Sequence, residues 1–219
     1  MLWKNLFIKI IFTGTDVNIF AQGLLFMDIN EMMAKLKETL SEARFQHSLN
    51  VMKDAVKLAE LYKADKARAE IAGLLHDCAK GMSREQLVEI CEANNIKTDE
   101  IMLTHTELLH ALVGAVVAKN EYHIDDEEIL DAIRTHTTGC ANMTLLQKII
   151  FIADVIEQSR DFNGVDEIRQ KAFEDLDEAL VMAFDSIITF ILKKGLLLHT
   201  NTVTARNSII IKKHVVSIK

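Results

Sequence analysis

Two histidines and two aspartates stand in the order His47, His76-Asp77 and Asp154. Imidazoles and carboxylates without thiolates suit a borderline or hard divalent ion: Fe, Mn, Mg, Co or Zn. Such an ion lowers the pKa of a bound water and polarises a phosphoryl oxygen, so hydrolysis of a phosphorus–oxygen bond is chemistry these residues could support. The His76-Asp77 pair closes the apolar run Ile71 to Leu75. Neighbouring helical residues point about 100° apart, so an ion shared by the pair lies in the angle between them. Lys80, four residues past His76, shares that face. Asp154 falls between Ile149-Ile150-Phe151-Ile152-Ala153 and Val155-Ile156, where a buried carboxylate needs a cation or several donors. His110 and His136 also stand where helical periodicity predicts core or an element end. Taken singly, each residue also fits a structural role: a polar helix end, a salt bridge or a half-buried hydrogen-bonded ring. Their combination points to a site.

The elements that position them read as helices. Apolar residues recur at helical spacing from Ile29 to Leu40 and from about Arg44 to Tyr62. A third helix runs from about Lys66 to Ala79 and carries His76-Asp77. Ser83-x-x-Gln86 forms a capping box for the next, and residues 94–104 read as a loop with a short turn. His110 opens an apolar run, and the acids at 125–128 start a helix that Gly139 stops. Thr144 caps Leu145 to Glu157, a short helix follows from Val165, and a long one spans Asp175 to Lys194 before Gly195. The state of the β-branched run Ile209-Ile210-Ile211 is left open.

Composition agrees with a single all-α domain. The chain has 219 residues, 49% hydrophobic, with no proline and only 8 glycines, which removes the usual punctuation of β-rich folds. A net charge of −7 argues against DNA binding or a broad RNA surface, so an anionic substrate needs local positive charge. The three cysteines, Cys78, Cys91 and Cys140, show no Cys-x-x-Cys spacing and suit a reducing cytoplasm. Residues 1–26 read as an N-terminal extension upstream of a start at Met27, with 27–219 as the domain. The run Leu6 to Phe12 is too short to span a bilayer, so no stable membrane anchor is expected.

The order His…His-Asp…Asp resembles the signature of the HD-domain phosphohydrolases. Arg44-Phe45-Gln46-His47-Ser48-Leu49, Leu74-Leu75-His76-Asp77-Cys78-Ala79-Lys80 and Leu109-His110-Ala111-Leu112-Val113-Gly114-Ala115 are similar to motifs of their YqeK group. So are Ala132-Ile133-Arg134-Thr135-His136-Thr137-Thr138-Gly139, the segment Met143 to Asp154, and Ala205-Arg206-Asn207. The resemblance spans about residues 28–211. It implies a helical bundle and symmetrical hydrolysis of diadenosine tetraphosphate to two ADP by a metal-activated water. It implies that His47, His76, Asp77 and Asp154 hold a divalent metal, iron first, with Mn, Co, Mg or Zn as alternatives and one or two ions. His110 and His136 would contact phosphate or hold a second ion, and Asp77 could also serve as catalytic general base. Lys80 and Arg160 would neutralise phosphate charge, Thr137 and Thr138 would donate hydrogen bonds, and residues 196–201 would wall the nucleoside. A homodimer is compatible with the group.

The chain departs from that group in lacking proline after the His110 motif, after the Asp154 segment and in the loop 198–201, which bears on loop rigidity. The alternatives are an HD phosphohydrolase acting on nucleoside monophosphates, guanosine tetraphosphate or a cyclic dinucleotide, and a non-catalytic nucleotide-binding or RNA-assembly protein.

Overall fold

The computed structural model describes residues 27–217, and the side chains up to residue 215; the expected N-terminal extension lies outside them. Among the described residues there are helices and no strands. In order they are α1 (Ile29–Thr39), α2 (Glu42–Tyr62), α3 (Lys66–Leu75), α4 (Arg84–Ala93), α5 (Glu100–Thr104), α6 (Leu109–Glu121), α7 (Glu127–Thr135), α8 (Leu145–Ile156), α9 (Val165–Ala172), α10 (Leu176–Lys193) and α11 (Thr200–Ser217), with a single 3-10 turn at Thr106–Leu108.

Local chemistry sets the helix ends. Asp28, Ser83 and Thr144 each close a reciprocal capping box, with Glu31, Gln86 and Gln147, so the two caps expected at Ser83 and Thr144 are present. Gly139 and Gly195 take positive φ, +67° and +65°. At Gly139 any Cβ would meet Ala205 Cβ and Phe184 Cζ at 2.8 Å. That turn therefore needs glycine for both conformation and space.

α8 carries a continuous apolar stretch, with Ile149 to Ala153 all buried, which marks a helix enclosed by others. α2, α3, α7 and α10 surround it, and α9 packs on α8 and α10. Phe151 and Phe184 meet at the centre with rings 4.4 Å apart. α6 joins α7 and, with α4, encloses a smaller cluster around Leu87, Leu109 and Val113.

Two elements differ from the sequence reading. The third helix ends at Leu75, not near Ala79. Cys78, Lys80 and Met82 donate to carbonyls three residues back, those of Leu75, Asp77 and Ala79, so the chain tightens into successive turns. His76 and Asp77 sit in this tightened segment and lie outside the regular helix. The tail, left open by its β-branched run, is helical. Thr202, Ala205 and Ile209 are its buried positions, and packing of that face against α10 outweighs the weak helix propensity of isoleucine.

Candidate metal centre

Five helices deliver the candidate residues to one point. α2 carries His47, the turn after α3 carries His76 and Asp77, and the first turn of α6 carries His110. His136 caps the C-terminus of α7, and Asp154 lies in the last turn of α8. His47, His76, Asp77, His110 and His136 are buried.

His47 Nε2 lies 3.2 Å from His76 Nε2 and 3.1 Å from Asp154 Oδ1. Asp77 Oδ2 faces this pair at 3.8 and 3.7 Å. Its other oxygen, Oδ1, lies 2.9 Å from His110 Nε2 and 3.6 Å from His136 Nε2, and these two nitrogens are 3.1 Å apart. The centre therefore has two lobes, and the Asp77 carboxylate stands between them. Two triads, His47–His76–Asp154 and His76–Asp77–His136, each bring one ligand atom per residue within 4.8 Å of the others.

The outer nitrogens fix the tautomers. His76 Nδ1 is 2.8 Å from Gly73 O, His136 Nδ1 is 2.7 Å from Ile133 O, and His110 Nδ1 makes a short contact with Glu107 O. A carbonyl oxygen can only accept, so each Nδ1 carries the proton. His47 Nδ1 likewise donates to Glu157 Oε1, 3.1 Å away. In every neutral ring Nε2 is then a bare lone pair aimed inward. Four Nε2 atoms converge with the oxygens of Asp77 and Asp154; with all four rings neutral this is an all-acceptor set that fits a divalent cation, whereas a protonated ring donates its Nε2–H to the facing carboxylate.

The electrostatics agree. Burial pushes His76 down to about 4, against the pull of Asp77 and Asp154, so its ring is neutral near pH 7. His47 is raised: burial opposes its charge, but its hydrogen bond to Asp154 and the charge of that carboxylate prevail. Burial also works against ionised Asp77 and Asp154. The imidazoles around it, His76 first and then His110 and His136, hold Asp77 well below the ordinary carboxylate range. The bond from His47, with His76 and Arg160, does the same for Asp154.

Three cations rim the centre. Arg160 donates through Nε to Asp154 O at 2.8 Å and through Nη2, at short range, to Oδ1. Lys80 Nζ lies 3.2 Å from His110 Nδ1, and burial depresses its pKa. Arg44, which the sequence reading left without a role, reaches Asp77 Oδ2 at 3.0 Å. The two threonines stand apart from these groups. Thr138 is buried and donates to Gly139 O, which serves the turn, and Thr137 makes no side-chain hydrogen bond within the described chain. His199 is buried with Nε2 2.9 Å from Asp99 Oδ2, so it ties the α10–α11 connection to the start of α5.

This arrangement places the chain among known proteins. The model of the HD domain matches residues 44–159, more than half of the sequence. The chain belongs to the HD-domain family. Its HD segment opens on Arg44 and closes on Ser159, and so encloses all five helix ends that build the centre. The chain is 38% identical over 187 residues to a symmetrical bis(5'-nucleosyl)-tetraphosphatase of Halalkalibacterium halodurans, covering 85% of this chain and 100% of the relative. It is 42% identical over 170 residues to a protein of that same description from Bacillus subtilis, covering 77% and 90%. It is also similar to the crystal structure of a predicted HD superfamily hydrolase involved in NAD metabolism from Clostridium acetobutylicum. That match has a TM-score of 0.82 and 47% identity and covers 84% of this chain and 98% of the other.

One further residue of the HD segment escaped the sequence reading. Glu157, the C-cap of α8, is fully buried. Besides His47 it accepts from Asn50 Nδ2 at 3.0 Å and Ser159 N at 2.8 Å, and from Ser159 Oγ. Burial disfavours its charge, but these bonds hold its pKa below the ordinary value. A carboxylate behind a ligating imidazole fixes the ring and raises its basicity. Glu157→Gln removes the charge and keeps the shape. Calorimetric titration of this variant should show metal affinity lowered about 10–100-fold with helical content unchanged. Wild-type affinity would reduce Glu157 to a helix cap.

The missing prolines leave no slack around Glu157. Arg169 on α9 donates to Ile156 O at 2.8 Å, Glu157 O at 3.0 Å and Arg160 O at 2.5 Å. Gln158 Nε2 donates to Asn50 Oδ1 at 3.0 Å. Hydrogen bonds thus fix the loop whose rigidity the sequence put in question.

Proposed function

We propose that this protein is a metal-dependent phosphohydrolase that splits diadenosine tetraphosphate symmetrically into two ADP. The observation that carries the chemistry is the convergence of four inward Nε2 atoms and two carboxylates on one point. The relatives that bear this activity in their description supply the substrate.

His47, His76, Asp77 and Asp154 are proposed to hold one ion, iron in the first place, because the set is all imidazole and carboxylate. Asp77 Oδ1, His110 and His136 form the second lobe: with neutral rings it would hold a second ion, and with protonated rings His110 and His136 would donate to the bridging phosphate oxygens. A bound divalent ion supplies a water of lowered pKa and polarises the phosphoryl oxygen. The chain's own part is to orient and to neutralise. Arg44, Arg160 and Lys80 surround the mouth and supply the positive charge that the acidic chain otherwise lacks. Their present partners, Asp77, Asp154 and His110, are the groups an ion would engage, which would free the cations for phosphate.

Asp77 is assigned as an anionic ligand. Beside the ion it is also proposed as the general base, with Oδ1 toward His110 and Oδ2 toward Arg44. Among the described residues no helix is long and apolar enough to cross a membrane, and all three cysteines are free. The free cysteines support a cytoplasmic setting as part of the proposal.

The test is a panel of dinucleoside polyphosphates incubated with Fe, Mn, Co, Mg or Zn, with products separated by chromatography. Diadenosine tetraphosphate should yield ADP alone. AMP plus ATP would overturn the symmetrical reading, and absence of turnover with every metal would overturn the enzymatic one.

A further inference from the structure

A cavity of about 780 Å³ opens beside Asp154. One wall is the end of α8 and the loop after it, with Asp154, Arg160 and Phe162. The other is α10 from Asp185 to Lys193. Its volume lies in the range of small-ligand sites, and it shares two residues with the metal centre.

The lining is divided. The Arg160 end is cationic and touches the centre. Farther along, the wall is apolar and aromatic. Phe162 is partly buried against the core, whereas Phe190 stands 56% exposed at the rim. Asn163, Ser186 and Thr189 also line the cavity, and their side chains make no hydrogen bond within the described chain. Of the two acids in the wall, Asp154 is held by Arg160, and Asp185 is neutralised by Arg206, which reaches it through Nε and, at 3.2 Å, through Nη2. They therefore present little repulsion to an anion.

We propose that this cavity binds the nucleoside of one ADP half, with the base against Phe190 and the phosphates leading past Arg160 into the centre. An aromatic face stacks on any base, and unpaired amide and hydroxyl groups can read its edge or the ribose. The assignment of an adenine nucleotide rests on the phosphohydrolase reading. The cavity differs from the wall expected from the sequence, since its lining on α10 stops at Lys193 and none of residues 196–201 takes part.

The experiment titrates ADP, and separately inorganic pyrophosphate, into zinc-loaded protein, followed by amide NMR and calorimetry. ADP should shift the amides of Asn163, Thr189 and Phe190, and pyrophosphate should leave them in place. Phe190→Ala, at an exposed position, should weaken ADP about tenfold and pyrophosphate less than twofold. Thr189→Lys, which fills the cavity from the surface, should do the same. ADP shifts that avoid this wall, or variants that weaken both ligands equally or neither, would overturn the proposal. A protein that binds ADP here but does not split diadenosine tetraphosphate would sink the hydrolase reading and sustain the nucleoside site.

Discussion

Asp77→Asn is expected to lower turnover of diadenosine tetraphosphate by at least about a thousandfold, roughly 4 kcal/mol in the barrier. The substitution changes almost no volume. It replaces one oxygen by an amide nitrogen, which donates and cannot ligate. Asp77 serves both lobes, with Oδ1 toward His110 and His136 and Oδ2 toward His47 and His76, so either orientation of the amide presents hydrogens to inward lone pairs. Elemental analysis should show loss of bound metal, and circular dichroism should show helices intact. Retained stoichiometric metal with turnover within tenfold of wild type would exclude Asp77 from the ligand set.

Gly73→Ala should damage stability and site together. A Cβ there would meet Met52 Cα at 2.8 Å and Ala55 Cβ at 3.2 Å, so α3 must move away from α2. The alanine gains about 1 kcal/mol of helix propensity, and overpacking against backbone costs about 1–3 kcal/mol or more. We expect a net loss of up to about 2 kcal/mol, seen as a fall of up to about 8 °C in melting temperature. Gly73 O also holds His76 Nδ1, and His47 rides on α2, so the same shift separates two candidate ligands. Ligand distances tolerate only about ±0.2 Å, and metal affinity should fall about tenfold. An unchanged melting curve would show that the two helices can yield there.

The residues that sequence made visible were those whose chemistry conflicts with their surroundings. Asp154 stands out because a carboxylate interrupts an apolar run, and His76-Asp77 because it ends one. Glu157 and Arg44 carry no such conflict. Each reads as a surface charge at a helix end, and only the meeting of α2 with the end of α8, and of α2 with the turn after α3, gives them partners. The path of residues 76–82 was also hidden, because helix and tightened turn have the same residue preferences over one turn. The helical tail was legible only through tertiary packing, which decides the state of a run of isoleucines that local propensity leaves open.

The grip of Arg169 on the carbonyls of Ile156, Glu157 and Arg160 has a consequence for how the protein comes apart. α9 is only eight residues long, yet it holds the segment that supplies Glu157 and Arg160. Native-state hydrogen exchange should therefore find α9 and residues 156–160 opening as one cooperative unit. If that unit opens below the global free energy, heat will silence the protein before it melts the core around α8, and slow inactivation on storage will track the detachment of one short surface helix.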